Sequence, residues 1–487
     1  MSKEEKERKK MMASMFSTDS VLSKELAEFV INTKYSDLPE DLIEYIKVLI
    51  LKNIANMALG ASLPHSAKAV EPIIKRGVPG DVGVLTYGFR ASLWEGIFLN
   101  AFFAHAAELE DDAFFDAELN PAGPSWTITV IPLVLSLAQK LGLSGKQVIE
   151  AIVVGLEVHR RTCLSEVLHR GVLLGPGSVG PAAGAAKAMD LNKEEIKAAM
   201  GFATSGPDMQ FVSYVTDAHY FESAMQTLHA LVAAQMAQMG LTSSSNLPTF
   251  LSQKFGKTVV KPKKMLADLG NTWLCRQFWI KKYPASFGLH CLIDLMCEFR
   301  NKYKFSWEEI DFIEAVPTSP QLGFMARTPM QTQFSLFWVL GVAAVDGDVN
   351  PHHMTQEALD NLVYQKAAHK IKQTIDQEFL KDSKTPMPFS HTDELKVYMK
   401  DGREFSGKRR YPIGSAKDPL TNEQIKGLFR KFAAPVFSTE NIEKISETVL
   451  NLEKLDNLDE LMDLLTYNAI KTEGQIQEKE ILLSKDN

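Results

Sequence analysis

Six acidic side chains, Glu108, Glu110, Asp111, Asp112, Asp116 and Glu118, fall within eleven residues of the stretch HAAELEDDAFFDAELNPAGPSW. Two apolar runs frame it, LWEGIFLNAFFA before and TITVIPLVLSLA after. Carboxylates crowded between segments that belong in a core raise one another's pKa, and a raised carboxylate can exchange protons near neutral pH. His105, Glu108 and Asp112 stand at i, i+3 and i+7, so a continuing helix sets them on one face. On that reading Asp111 points elsewhere, and Glu110, Asp116 and Glu118 are solvated. The competing reading is a solvated loop that places acids near a helix N-terminus. A second constellation, WIKKYPASFGLHCLID, brings Lys281, Lys282, Tyr283 and His290 within ten residues. Two cations, a phenol and an imidazole suit an anionic substrate. A third, HYFESAMQTLHALVAAQMAQMGLT, carries His219, Tyr220, Glu222, Gln226 and His229, of which His229 reads as a packed helix histidine.

Helices must position most of these groups. DLPEDLIEYIKVLILKNIANMALG has an acidic, proline-marked start and is then apolar nearly all round, as a buried helix should be. Ser92 with Glu95, and Ser144 with Gln147, form capping boxes, and a helix from about Trp126 to Lys140 stops at Gly142. GPGSVGPAAGAAKAMDLNKEEIKAAMGFA suits helices whose backbones approach closely; it lacks the Gly-Lys-Ser/Thr ending of a phosphate loop. Beyond residue 270 the texture changes. EEIDFIEAVP alternates like a strand, and ELKVYMK and REFSGKRR flank an Asp-Gly turn. Helical patterning returns at DPLTNEQIKGLFRKFAAPVF. The expected architecture is mostly α with an inserted α/β lid: a tail over 1–18, a helical domain over 19–268, a lid over 269–415 and a helical return over 416–480. The crevice between the two is the natural place for a small-molecule site.

Composition narrows the function classes. Apolar residues make up 45% and charged residues 23%, enough to bury a core. A net charge of −7 without a basic stripe argues against nucleic acid. Cys163, Cys275, Cys291 and Cys297 form no CxxC pair and fit free thiols in a reducing cytoplasm. The start, MSKEEKERKK, is no secretory signal, and no run has the ~18–20 apolar residues of a membrane span.

Taken in order, these stretches resemble the MmgE/PrpD family. HAAELEDD…NPAG is similar to its HxxDFDDT…HP signature, KKYPASFGLHCLID to KPYP…H…ID, and TPMQTQFSLFWVLGVAAVDGDV to FS…A…G. HRGVLLGPGSVGPAAGAAKAMDL resembles its glycine-alanine helix, and DGREFSGKRRYPIGSAKDPLTNEQI its DG…YP.G.P.NPLT return. The resemblance spans nearly the whole chain after about residue 20. That family comprises 2-methylcitrate dehydratase, cis-aconitate decarboxylase and iminodisuccinate epimerase. It implies a helical domain with an α/β lid, usually a homodimer, with the site between them and no required cofactor. The shared chemistry makes or removes a carbanion beside a carboxylate, which needs an acid, a base and cations.

The chain departs from that pattern at several positions. Glu108 stands for the family's Asp, Asp112 for its Thr, Asn120 for a catalytic His, Leu173 for a second His and Gln226 for a substrate-binding Lys. The family's active-site Tyr falls near Phe324, while Lys281 and His290 are kept. The Lys-to-Gln and Thr-to-Asp changes make the site more negative, which disfavours a tricarboxylate. The reading is a lyase or isomerase working without a cofactor, by carbanion chemistry, on a small carbonyl or carboxylate compound. Glu108, Asp112, Lys281 and His290 are the candidate catalytic residues. His105, Asp111, Asn120, His169, Gln226 and Tyr283 are the candidate substrate-binding residues. Two alternatives stand beside it: a non-catalytic paralogue, and a metal-assisted hydrolase or hydratase in which His105, Glu108, Asp111, Asp112 and Asn120 hold a divalent ion, though in no standard metal spacing.

Overall fold

The computed structural model describes residues 5–6, 12, 19–113, 125–166, 171–256, 260–376 and 392–467. The protein is mostly helical with small sheets. Helix α1 (Glu40–Ala61) opens after Pro39 with Glu40 and Asp41 in its first turn, where the helix dipole favours anions. Every residue from Ile46 to Ala61 is buried, which is why its sequence is apolar all round rather than striped. Helix α2 (Leu93–Ala106) lies against α1, and Gly60 permits the approach: a Cβ there would sit 1.9 Å from the Phe103 carbonyl oxygen. Ser92 caps α2 by accepting from Glu95 N, but Glu95 meets the Ser92 hydroxyl rather than its backbone, so half of the expected capping box forms.

Helix α3 (Ile131–Leu141) follows a 3-10 turn, Thr127–Thr129, and stops at Gly142 in the left-handed conformation. Helix α4 (Gly145–Thr162) carries the full Ser144–Gln147 capping box. Helix α5 (Val179–Ala188) is the glycine-alanine stretch, and it packs on α4 with almost no side chain between. A Cβ on Gly180 would stand 2.2 Å from the His159 Cβ, and one on Gly155 3.2 Å from the Gly184 Cα. Helix α6 (Ala218–Gln238) packs against both α2 and α5. Strands β1 (Leu164–Glu166), β2 (Val172–Gly175) and β3 (Met209–Gln210) form a small antiparallel sheet beside these helices.

The buried apolar side chains divide mainly between two clusters. The larger draws on residues 22–280 and 425–465, and the second on residues 283–399. The second is built from α7 (His290–Tyr303), α8 (Leu336–Asp346) and a four-stranded sheet. Its strands are β4 (Ile310–Val316), β5 (Ile371–Gln373), β6 (Asp393–Met399) and β7 (Glu404–Arg409), in the order β5-β4-β6-β7. β4 and β5 run parallel; the other pairs are antiparallel. Asp401-Gly402 closes the β6–β7 hairpin, with Gly402 at φ +89°, a conformation glycine adopts without strain. Along β6, Leu395, Val397 and Met399 are buried while Glu394, Lys396 and Tyr398 are half-buried on the other face, the period-two pattern of a one-sided sheet. Helix α9 (Asn422–Ala433) returns to the larger cluster and packs on α1, where Phe432 lies 5.7 Å from the Lys52 ammonium. Among the described residues no single helix is long and apolar enough to cross a membrane.

Candidate active site

The acidic stretch does not continue α2. The helix ends at Ala106, and Glu108 turns the chain with φ +51°, a left-handed conformation that is unfavourable for a residue with a Cβ. The backbone then runs to Ala113 without helix, and Asp112 bridges antiparallel to both Trp126 and Trp279. Asp112 N donates to the Trp279 carbonyl at 3.1 Å, which stitches the stretch to the segment leading into α7. In extended chain, alternate residues face opposite sides. Glu108, Glu110 and Asp112 accordingly line one cavity, while Leu109 O and Asp111 turn the other way to the buried Lys52 ammonium, at 2.8 and 3.2 Å.

The cavity has a volume of about 20 Å³, the scale of a single water molecule. The other described residues lining it are Trp126, Leu173, Leu174, Tyr214, His219 and Phe287. Its floor is ionic. Lys281 Nζ donates to Glu108 O at 3.0 Å, to Glu108 Oε1 at 3.2 Å and to Glu110 Oε1, and it lies 4.7 Å above the Phe287 ring. The second oxygen of each glutamate faces His105 Nε2, both at 3.9 Å, and His219 Nε2 is 4.0 Å from Glu108 Oε2. His105 packs edge-on against Trp126, with ring centroids 4.7 Å apart, and Tyr214 packs edge-on against His219 at 4.9 Å. The Tyr214 hydroxyl hydrogen-bonds the Ser286 hydroxyl across the seam between the two clusters.

Burial sets the protonation of this wall. It raises Glu108 to about 8, with Glu110 adding to the effect. Glu110 is also raised by burial, although Lys281 opposes it. Asp112 is held well above the usual carboxylate range, by burial first and by Glu110 second. Asp111 rises to about 6 because burial outweighs its pairing with Lys52. Burial alone would lower Lys281, but Glu108 and Glu110 overcome it and raise the ammonium. Burial pushes His105 well below its ordinary value and His219 down to about 3, so both imidazoles are neutral.

The residues singled out from sequence fall into three groups. Glu108, Asp112, His105 and Lys281 do converge, with the two carboxylates on the cavity and His105 and Lys281 bonded or packed directly behind it. Asp111, Gln226, Tyr283 and His290 are not on the cavity wall. Gln226 Nε2 spans Leu174 O and Pro207 O, the Tyr283 hydroxyl donates to Asp294, and His290 bonds the Ala285 carbonyl while stacking on Phe287. Asn120 and His169, like Asp116 and Glu118, lie outside the described residues. Glu110 is a correction: expected in solvent, it is buried and paired with Lys281 because the chain is extended there, not helical. His219 and Tyr214 were not among the candidates. His219 stood in a quoted stretch without a partner in sequence, and nothing near Tyr214 marks it. Leu173, which stands for a family histidine, does line the cavity, whereas Phe324 packs in the second cluster.

Comparison with known proteins covers the same span. The MmgE/PrpD N-terminal domain matches residues 24–264 and the MmgE/PrpD C-terminal domain residues 283–454. The chain is 24% identical over 480 residues to the cis-aconitate decarboxylase-like protein oryM of Aspergillus oryzae, covering 91% of this chain and 96% of that protein. It is 23% identical over 484 residues to the cis-aconitate decarboxylase of Aspergillus terreus, covering 92% and 96%. It is also 22% identical over 475 residues to that of Homo sapiens, covering 91% and 94%.

Proposed function

This chain belongs to the MmgE/PrpD family, and from that premise we propose that it is a lyase acting by proton transfer beside a carboxylate or carbonyl of a small substrate carrying less charge than a tricarboxylate. The relatives are cis-aconitate decarboxylases and a decarboxylase-like protein, which supports enzyme chemistry of the lyase type. The observation that carries the finer reading is the composition of the cavity wall. Three carboxylates, Glu108, Glu110 and Asp112, face the space, and the nearest ammonium, Lys281, is already committed to two of them. None of the described lining residues is a cation, so a substrate with three negative charges would be desolvated without compensation, at a cost of several kcal/mol.

The roles follow from position. Asp112, with Oδ1 lacking a hydrogen-bond partner among the described residues, takes the proton from the substrate carbon. The Tyr214 hydroxyl, backed by Ser286, donates a hydrogen bond to the oxygen on which negative charge develops. Trp126, Leu173, Leu174 and Phe287 keep water out, so that the carbanion is not quenched. The test is to incubate the purified protein in D2O with a panel of 2-hydroxy and unsaturated mono- and dicarboxylates and follow carbon-bound hydrogen by NMR. Exchange or elimination with at least one of them, absent in Asp112→Asn, is expected. Turnover of 2-methylcitrate or cis-aconitate at ~1 s⁻¹ or faster would overturn the charge argument.

A further inference from the structure

The two glutamates each spend one oxygen on Lys281 and turn the other toward His105. Glu108 Oε2, Glu110 Oε2 and His105 Nε2 are buried, and none has a hydrogen-bond partner among the described residues. The tautomer of His105 makes this arrangement chemically pointed. The Ser223 hydroxyl lies 2.9 Å from both the Tyr220 carbonyl oxygen and His105 Nδ1, and with its one proton given to the carbonyl it accepts from His105 Nδ1–H. Nδ1 therefore carries the hydrogen, and Nε2 presents a lone pair to two carboxylate oxygens. Lone pairs facing one another in a dry site call for a proton or a cation between them, and a metal ion can take the proton's place.

We propose that His105 Nε2, Glu108 Oε2 and His219 Nε2 form a binding site for one divalent first-row transition-metal ion, beside which Glu110 Oε2 stands 3.9 Å from His105 Nε2. This goes beyond the lyase reading and does not depend on it, because it is read with the ion alone. One ligand atom from each of the three residues lies within 4.8 Å of the others, and His105 Nε2 and His219 Nε2 stand 3.9 and 4.0 Å from Glu108 Oε2. Ligands ~2.1 Å from a shared tetrahedral ion stand ~3.4 Å apart, so the pairs at 3.9 and 4.0 Å close by about half an ångström when the ion binds. Two imidazoles and a carboxylate suit zinc, manganese, iron or cobalt better than the hard ions calcium and magnesium. The outer contacts are of the kind that fix ligands: Ser223 orients His105, Lys281 holds Glu108 and Glu110, and Trp126 and Tyr214 pack edge-on against the imidazoles.

The experiment strips the protein with a chelator, dialyses it and titrates it with Co²⁺, following the visible d–d absorption, and in parallel with Zn²⁺ by calorimetry. One equivalent per chain is expected. Glu108→Gln and His219→Ala should each weaken binding by at least ~10-fold. His352→Ala alters the separate Asp346, His352 and His353 group, in which Asp346 and His352 are exposed, and should leave the affinity unchanged. Absence of saturable binding would overturn the proposal, as would binding that survives both inner substitutions or is lost with His352. Circular dichroism checks each variant, and if His219→Ala does not fold, the isosteric Glu108→Gln decides by itself. Lyase activity is scored separately, so a failure of one reading leaves the other standing.

Discussion

Asp112 is held by its backbone on two sides, so its carboxylate can be altered without moving the chain. Asp112→Asn is expected to abolish turnover while leaving the thermal midpoint unchanged or raised, because an amide of the same shape carries no charge to desolvate where burial already disfavours the carboxylate; calorimetry and the deuterium-exchange assay check the two halves. Lys281→Met should do the opposite, costing ~3–5 kcal/mol in urea unfolding by leaving Glu108 and Glu110 buried without their cation. That loss should shrink as pH falls through about 8, the value to which burial raises Glu108 even with Lys281 in place. At this scale the sequence set an inward-turned carboxylate cluster against a solvated loop, and the structure buries Glu108, Glu110, Asp111 and Asp112. The sequence misplaced Glu110, for an instructive reason. Residues four apart share a side both in a helix and in an extended chain, so Glu108 and Asp112 come out together under either period. Glu110, two residues on, tells the periods apart, and the left-handed turn at Glu108 that ends the helix leaves no mark in a run of acids and alanines.

The glycine-alanine helix shows what close contact demands of an element. Gly180→Ala would drive a methyl group into the backbone and Cβ of His159, and a loss of ~1–3 kcal/mol or more is expected in chemical denaturation. Gly427→Ala, on α9 with open space around it, should instead add ~0.5–1 kcal/mol. In β6, Asp393 is buried and raised to about 7 by burial, which outweighs its bond from Thr318 N. Its folded pKa lies above its unfolded one, so the fold favours the protonated form. The stability it contributes is present below about pH 4 and is lost as pH rises to about 7. Thermal midpoints of wild type minus Asp393→Asn should therefore fall from about pH 4 to about pH 7 and level off above it; a difference flat across the whole range would mean the carboxyl is not buried as described. Elements were the most legible scale, because the Asp401-Gly402 turn, the alternation in β4 and the Ser144 cap are local patterns with local causes. The long-range contacts were not: nothing in residues 219–226 announces that His219 meets Glu108, because their proximity depends on how α6 packs across α2.

At the scale of the molecule, the walls of the cavity come from distant parts of the chain, and about 20 Å³ leaves no room for a substrate. Binding must part them. A ligand that fills the site is expected to slow amide hydrogen exchange together in residues 105–113, 211–219 and 279–289; slowing in one segment alone would mean that the walls do not act as a unit. The sequence anticipated a mostly helical protein with a smaller α/β part, since periodicity changes where the chain leaves its helices. It could not give the closeness of the walls, which rests on one buried ammonium bonding two glutamates 171 and 173 residues away. Trp126 stands at the centre of this arrangement, on the cavity and 4.7 Å from the His105 ring. An indole in that position is a built-in optical gauge: its emission responds to charge arriving beside it, so a proton, an ion or a substrate entering the site should each announce itself in the protein's own fluorescence, with no label attached.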